Sequence, residues 1–163
     1  MDYEPLRELF VAELQDLYSA ELQITRCLPR IAKAARNSHL RQALEQHLDE
    51  SGLHLAHLTK ILKRHNEPPS EKTCEAMRVL LHETEERARD GGDADFIDAG
   101  LIAAMQRVLH HTIAVYGSAR TFAGLLNDSD ASRSLSDALD EETRTDVRLT
   151  QLSRRVHVTR RAA

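Results

Sequence analysis

Apolar residues recur along the chain in a four-three-four-three rhythm, and in four separate segments polar residues interrupt that rhythm near the middle. The first segment carries Phe10, Leu14, Leu17, Glu21, Ile24, Leu28 and Ile31, a spacing that places all seven on one face of an α-helix. The second carries Leu40, Leu44, His47, Ser51, His54, Leu58 and Ile61, with Glu50 on the same side between the two histidines. The third runs Ile97, Leu101, Ala104, Val108, His111, Val115 and Phe122, with Thr112 beside His111. The fourth runs Leu135, Leu139, Glu142, Asp146, Leu149 and Val156.

Chain-breaking residues fall at Asn37-Ser38, Pro68-Pro69, Gly91-Gly92 and Asn127-Asp128-Ser129. Between them the pattern predicts helices α1 over 4–36, α2 over 38–65, a short crossover helix α3 over 71–90, α4 over 95–126 and α5 over 129–158. Pro29 removes a backbone donor and is expected to kink α1 near its end. The midpoints of the four long helices fall near residues 20, 52, 110 and 144, so their interrupting residues lie at similar heights. Packed side by side, these helices predict one bundle with a single central polar layer.

Burying ionised carboxylates without partners is costly, so acids and histidines inside apolar seams call for a cation or for strong mutual pairing. Carboxylate oxygen and imidazole nitrogen suit iron, manganese or zinc. The candidate ligands are Glu21, Glu50, His54, Glu142 and Asp146. The pairs Glu50/His54 and Glu142/Asp146 are each spaced i,i+4, which brings two side chains within roughly 40° on the helix wheel and lets both reach one ion. His47 and His111 also face inward, but an inner-face histidine commonly just hydrogen-bonds a carboxylate, so their roles stay open. His57, His65, His82 and His157 read as surface residues, and Glu13 lies near the inner face of α1 but away from the layer.

Composition narrows the picture further. At 163 residues the chain is expected to form one domain, 1–163. Six Gly, four Pro and no Trp leave too few turn and strand formers for an all-β fold, so the class is all-α. The net charge of −4 provides no global field for nucleic acid or an anionic membrane. The basic end with Arg154, Arg155, Arg160 and Arg161 reads as a helix terminus complementing the helix dipole. No apolar run reaches the length of a membrane span, and the N-terminus lacks the basic start of a signal peptide. Cys27 and Cys74 form no CxxC or metal-finger spacing, which fits a reducing, cytoplasmic setting. Phosphate loops and nucleophile elbows are absent from the sequence, leaving hydrolase and kinase readings unsupported.

The segments LRELFVAELQDLYSAE (6–21), HLDESGLHLAHL (47–58), DAGLIAAMQRVLHHTIAVYGSARTFAGLL (98–126) and EETRTDVRLTQL (141–152), with a Cys-x-Ala-Met element at Cys74–Met77, resemble the YciE/YciF family of ferritin-like stress proteins. The resemblance implies a ferritin-like antiparallel four-helix bundle with a long crossover between α2 and α4 that contains the extra helix. It also implies a homodimer in bacterial cytoplasm and a role in general, osmotic or oxidative stress. Carried over residue by residue, it supports Glu21, Glu50, His54, Glu142 and Asp146 as ligands of iron or manganese ions, with oxidase- or catalase-like chemistry if a dinuclear centre forms. The departure lies in α4. Family members read Glu-His-Tyr-Glu where this chain has Leu109-His110-His111-Thr112, so both carboxylates of that helix are missing. His111 is then the available neutral substitute, and the expected site holds two ions, one or none. The competing expectation is a metal-free structural or interaction bundle in which the same polar residues set the register of the helices.

Overall fold

The structure, a computed structural model, describes residues 4–69 and 72–159, with side chains as far as residue 156. His157, Arg160, Arg161 and the expected start of α3 at residue 71 lie outside the described residues or side chains. Five helices are formed: α1 Glu4–Ala34, α2 Ser38–Arg64, α3 Glu75–Arg89, α4 Ala94–Leu125 and α5 Ser129–Thr159. Helix α1 continues without interruption through Pro29, which sits on its exposed side.

α1 packs on α2 and α4 on α5, while contacts of α1 with α4 and of α2 with α5 close the bundle. Two cross-links show the directions. Asp98, in the first turns of α4, accepts hydrogen bonds from the amides of Arg36 and Asn37 in the α1–α2 turn, both at 2.7 Å. Arg64 and His65 at the end of α2 bind Asp128 at the start of α5. Neighbouring helices are therefore antiparallel, and the long connection between α2 and α4 carries α3 against α1 and α4. This is a ferritin-like four-helix bundle with a crossover helix.

The ends of the helices follow ordinary capping chemistry. Asn37 caps α2 by accepting from His39 and Leu40, and Asp93 caps α4 by accepting from Phe96. Asn66 and Asn127 adopt positive φ, 59° and 57°, just past α2 and α4, where asparagine tolerates the left-handed turn that ends a helix. Asp98 is buried although its helix begins only a turn earlier. Replacing Asp98 with alanine should leave the two turn amides without partners and destabilise the fold by about 3 kcal/mol, measured by urea unfolding.

Asp128 does two jobs, capping Ala131 at 3.0 Å and pairing with Arg64 and His65. Partial burial pushes its carboxyl up, but the Ala131 amide, His65 and Arg64 outweigh this and hold it below its ordinary value. A depressed carboxylate contributes stability above its unfolded pKa and loses it as pH falls through the folded one. Asp128→Ala should therefore lower the Tm at neutral pH and cost about 1–2 kcal/mol through the lost cap. Below the ordinary aspartate value of 3.8 the gap to the parent protein should close, as thermal unfolding across pH will show. His65 itself is half-buried with its ring edge-on to Phe10, whereas His57 and His82 are exposed as expected.

Two apolar clusters fill the bundle. One gathers residues such as Ile24, Leu28, Leu44, Leu101, Met105 and Leu149. The other gathers Phe10, Leu14, Leu17, Leu58, Leu62 and Leu135. Between them lies the polar layer.

The seams of α1 and α2 are buried at every predicted position. In the second half of α4 the interior stripe turns to Thr112, Tyr116, Ala119 and Ala123, leaving His111, Val115 and Phe122 only half-buried. In α5 the stripe is Ala131, Leu135, Ala138, Glu142, Thr145, Leu149, Leu152 and Val156. Leu139 and Asp146 flank it.

Candidate metal centre

The polar layer is built where the seams of four helices meet. α1 supplies Glu21, α2 supplies His47, Ser51 and His54, α4 supplies Thr112 and Tyr116, and α5 supplies Glu142; all are buried. Each occupies a step of its helix that would otherwise carry a leucine, so helix geometry alone delivers them to one place.

His54 is the hub. Its Nδ1 lies 3.0 Å from Glu21 Oε1 and 3.7 Å from Glu142 Oε1, and its Nε2 lies 2.7 Å from Glu141 Oε2. Tyr116 donates its hydroxyl to Glu21 Oε1 at 2.7 Å and sets its ring edge-on to His54. Thr112 donates to Glu142 Oε2, and His47 Nδ1 stands 3.7 Å from Glu142 Oε1. Ligand atoms of Glu21, His54 and Glu142 all lie within 4.8 Å of one another.

Electrostatics divide the groups. Burial works against the charged form of His54, but the bond to Glu21, the attraction of Glu21 and Glu142 and the bond to Glu141 outweigh it and lift the imidazole to about 9. Burial likewise pushes Glu21 up, yet its bond and attraction to His54 bring it below the usual glutamate value. Glu142 is raised well above that value by burial and by the charge of Glu21, with the Thr112 bond opposing. Burial lowers His47 to about 4 despite the attraction of Glu21. Tyr116 is pushed well above its ordinary value by burial and by Glu21. At neutral pH, Glu21 and His54 thus form a buried ion pair beside a neutral His47, while burial and the charge of Glu21 shift Glu142 toward its protonated form.

Some atoms in this layer have no partner. Glu21 Oε2, Glu142 Oε1, both ring nitrogens of His47 and Ser51 Oγ are buried without a hydrogen bond. Buried polar atoms are nearly always satisfied, and here five unsatisfied atoms lie on four residues of one layer. Two carboxylates and the His54 imidazole, with His47 Nδ1 beside Glu142, make a donor set that matches a divalent transition ion in charge and in ligand type. Glu141, on the far nitrogen of His54, is the carboxylate that orients such a ligating imidazole.

Of the five residues predicted as ligands, the structure therefore joins Glu21, His54 and Glu142. Glu50 stands at the margin, half-buried, accepting from Gln46 at 2.9 Å and Thr145 at 3.5 Å. Asp146 is turned to the α4–α5 seam, where Gln106 and His110 bind it, each at 3.0 Å. The reason is the stripe of α5: after Glu142 the interior step is three residues, to Thr145, so the position four residues on faces the neighbouring helix. His47, whose role stayed open, enters the centre. His111 points away from it, and Thr112 takes the inward position on α4. Tyr116 and Glu141 were missed; the four-residue step from Thr112 to Tyr116 was readable, but the hydrophobic letters of Val115 and Phe122 pulled the predicted seam aside.

The family described as a domain of unknown function, DUF892, matches residues 5–163. Protein YciF of Escherichia coli K12 is 34% identical over 154 residues, covering 94% of this chain and 93% of its own length. The crystal structure of the E. coli stress protein YciF superposes with a TM-score of 0.89 at 35% identity, covering 93% of this chain and 96% of that one. YcfI from Rhodopseudomonas palustris, described as a putative structural protein, superposes with a TM-score of 0.84 at 34% identity, over 89% of this chain and 92% of its own. A Xanthomonas campestris protein at 21% identity and a TM-score of 0.73 shares the fold.

Proposed function

Since the chain belongs to the DUF892 family, that of the stress protein YciF, we propose that it is a stress-response bundle holding one iron or manganese ion between Glu21, Glu142, His54 and His47. The observation that carries this reading is the set of unpartnered buried atoms on Glu21, Glu142 and His47, converging from three helices on one layer. Two carboxylates balance the charge of one divalent ion. The reading takes one ion rather than two because Leu109 and Thr112 stand where the family pattern has glutamates, and Asp146 faces the α4–α5 seam.

Such an ion supplies one-electron redox capacity. The residues themselves close the centre: its ligands are at most 2% exposed, and Tyr116 and Thr112 hold the two carboxylates in place. That seclusion favours a metal that stabilises the bundle or stores an electron over one that turns over a bulky substrate. A homodimer in the cytoplasm belongs to the same reading, and light scattering should give about twice the 18.4 kDa chain mass. Among the described residues no helix is long and apolar enough to cross a membrane.

The test is elemental analysis of purified, untagged protein beside Glu21→Ala and Glu142→Ala. One iron or manganese ion per chain, lost in both variants, is the expected result. Failure to load after reconstitution would overturn the metal reading and favour a metal-free structural bundle, for which the Glu21–His54–Glu141 network already supplies pairing.

A further inference from the structure

A second group of ligand-type side chains lies outside the layer, at the junction of α1, the start of α3 and α4. Asp16, Cys74 and His111 bring one carboxylate oxygen, the thiol sulfur and an imidazole nitrogen within 4.8 Å of one another. His111 Nε2 stands 3.7 Å from Cys74 Sγ and 3.7 Å from Asp16 Oδ2.

The geometry separates two uses of a Cys/His/Asp trio. In a nucleophilic relay the imidazole meets the thiol through one nitrogen and the carboxylate through the other. Here the same nitrogen faces both, so all three donors converge on one point. Tetrahedral zinc, with bonds of about 2.3 Å to sulfur and about 2.0–2.2 Å to nitrogen and oxygen, requires sulfur–nitrogen and nitrogen–oxygen edges of about 3.4–3.6 Å. The observed separations are within a few tenths of an ångström of those edges. The nitrogen–oxygen separation is longer than a hydrogen bond, and the sulfur–nitrogen one is within reach of a weak thiol–imidazole contact.

Two further observations describe how the thiol is held. Cys74 occupies the N-cap of α3, a position normally given to serine, threonine, aspartate or asparagine, yet its side chain makes no capping bond and is turned to His111. Its backbone is pinned to α1 on both sides, the amide donating to Ser19 Oγ at 2.8 Å and the carbonyl accepting from Gln23 at 3.1 Å. A cavity of about 290 Å³ adjoins the group, lined by Asp16 and Cys74 together with Glu13 and Lys72. Unlike the central layer, this place is reached from solvent, with the side chains of Asp16 and His111 39% and 22% exposed.

We propose that Asp16, Cys74 and His111 form a second cation site, with zinc the ion that one thiolate, one imidazole and one carboxylate select. Binding releases the thiol proton to solvent and leaves one coordination position for water or an incoming ligand. The site ties the crossover helix to α1 and α4, so occupancy should rigidify the connection between the two helical hairpins.

The test is a cobalt(II) titration of the metal-stripped full chain, followed in the near ultraviolet, where a thiolate ligand produces a sulfur-to-cobalt charge-transfer band. The expected result is a stoichiometric band that zinc abolishes by displacement. Cys74→Ser should remove it, and His111→Ala and Asp16→Asn should weaken binding by at least about tenfold. Cys27→Ser and Glu142→Ala should leave the band unchanged, the latter separating this site from the central one. Circular dichroism of each variant verifies folding, and the half-exposed His111 gives a second probe if Cys74→Ser unfolds. No thiolate band in the folded parent protein, a band that depends on Cys27, or one indifferent to both His111 and Asp16 would overturn the proposal.

Discussion

His54→Ala should cost the metal-free protein about 3–5 kcal/mol, the usual consequence of removing one partner from a buried ion pair. Glu21 is fully buried, and its carboxylate is kept ionised by His54, with Tyr116 as its other hydrogen-bond donor. Without the imidazole it must either keep an unpaired charge in an apolar bundle or take up a proton. The loss is a large part of the roughly 5–15 kcal/mol that holds an ordinary domain together. Urea unfolding measures it, and a double-mutant cycle identifies its origin. In a Glu21→Gln background, where no charge is stranded, the same change should cost only about 1–2 kcal/mol. Equal costs in both backgrounds would show that His54 acts through packing.

Thr112→Glu should change both stability and metal content. Thr112 faces Glu142 from α4 and donates to it, at the position where the resemblance places a carboxylate. A glutamate there adds a second carboxylate beside a group whose ionisation burial and the charge of Glu21 already oppose. Without metal the variant should lose about 3 kcal/mol or more. With iron or manganese it should bind two ions per chain in place of one and recover its thermal stability, because the added carboxylate can bridge. Metal analysis and thermal unfolding with and without the ion decide the matter. If the variant takes up only one ion and stays destabilised, the missing helix α4 glutamates are not what limits the centre.

Both outcomes depend on a layer that was largely legible in the chain. Glu21 and His54 interrupt runs of Leu and Ile at fixed helical steps, and every seam position of α1 and α2 is buried as the periodicity demands. Strongly apolar neighbours on both sides leave the phase of those helices no freedom. The stripes of α4 and α5 were legible only in part. Their true interior positions include Ala119, Ala123, Ala131, Ala138 and Thr145, small or weakly polar residues that carry little signal. Larger letters such as Val115, Phe122 and Leu139 lie to one side, and an error of one residue turns a helix face by about 100°. Asp146 was drawn into the ligand set, and Tyr116 left out, by that error.

Periodicity, turn residues and composition by themselves determined five helices, their order and a polar layer halfway along the bundle, while the antiparallel ferritin-like arrangement came from the family resemblance. The helices and the layer depend on interactions between residues three and four apart, which the chain order states directly. Which groups in the layer touch was decided only by packing. Four helices can rotate by a fraction of a turn while keeping their apolar faces inward, and the contacts of His54 with Glu21 and Glu141 depend on that rotation. The meeting of Asp16, Cys74 and His111 was decided in the same way. Those residues come from three elements far apart in the chain, and only the docking of α3 against α1 and α4 carries the thiol to the imidazole.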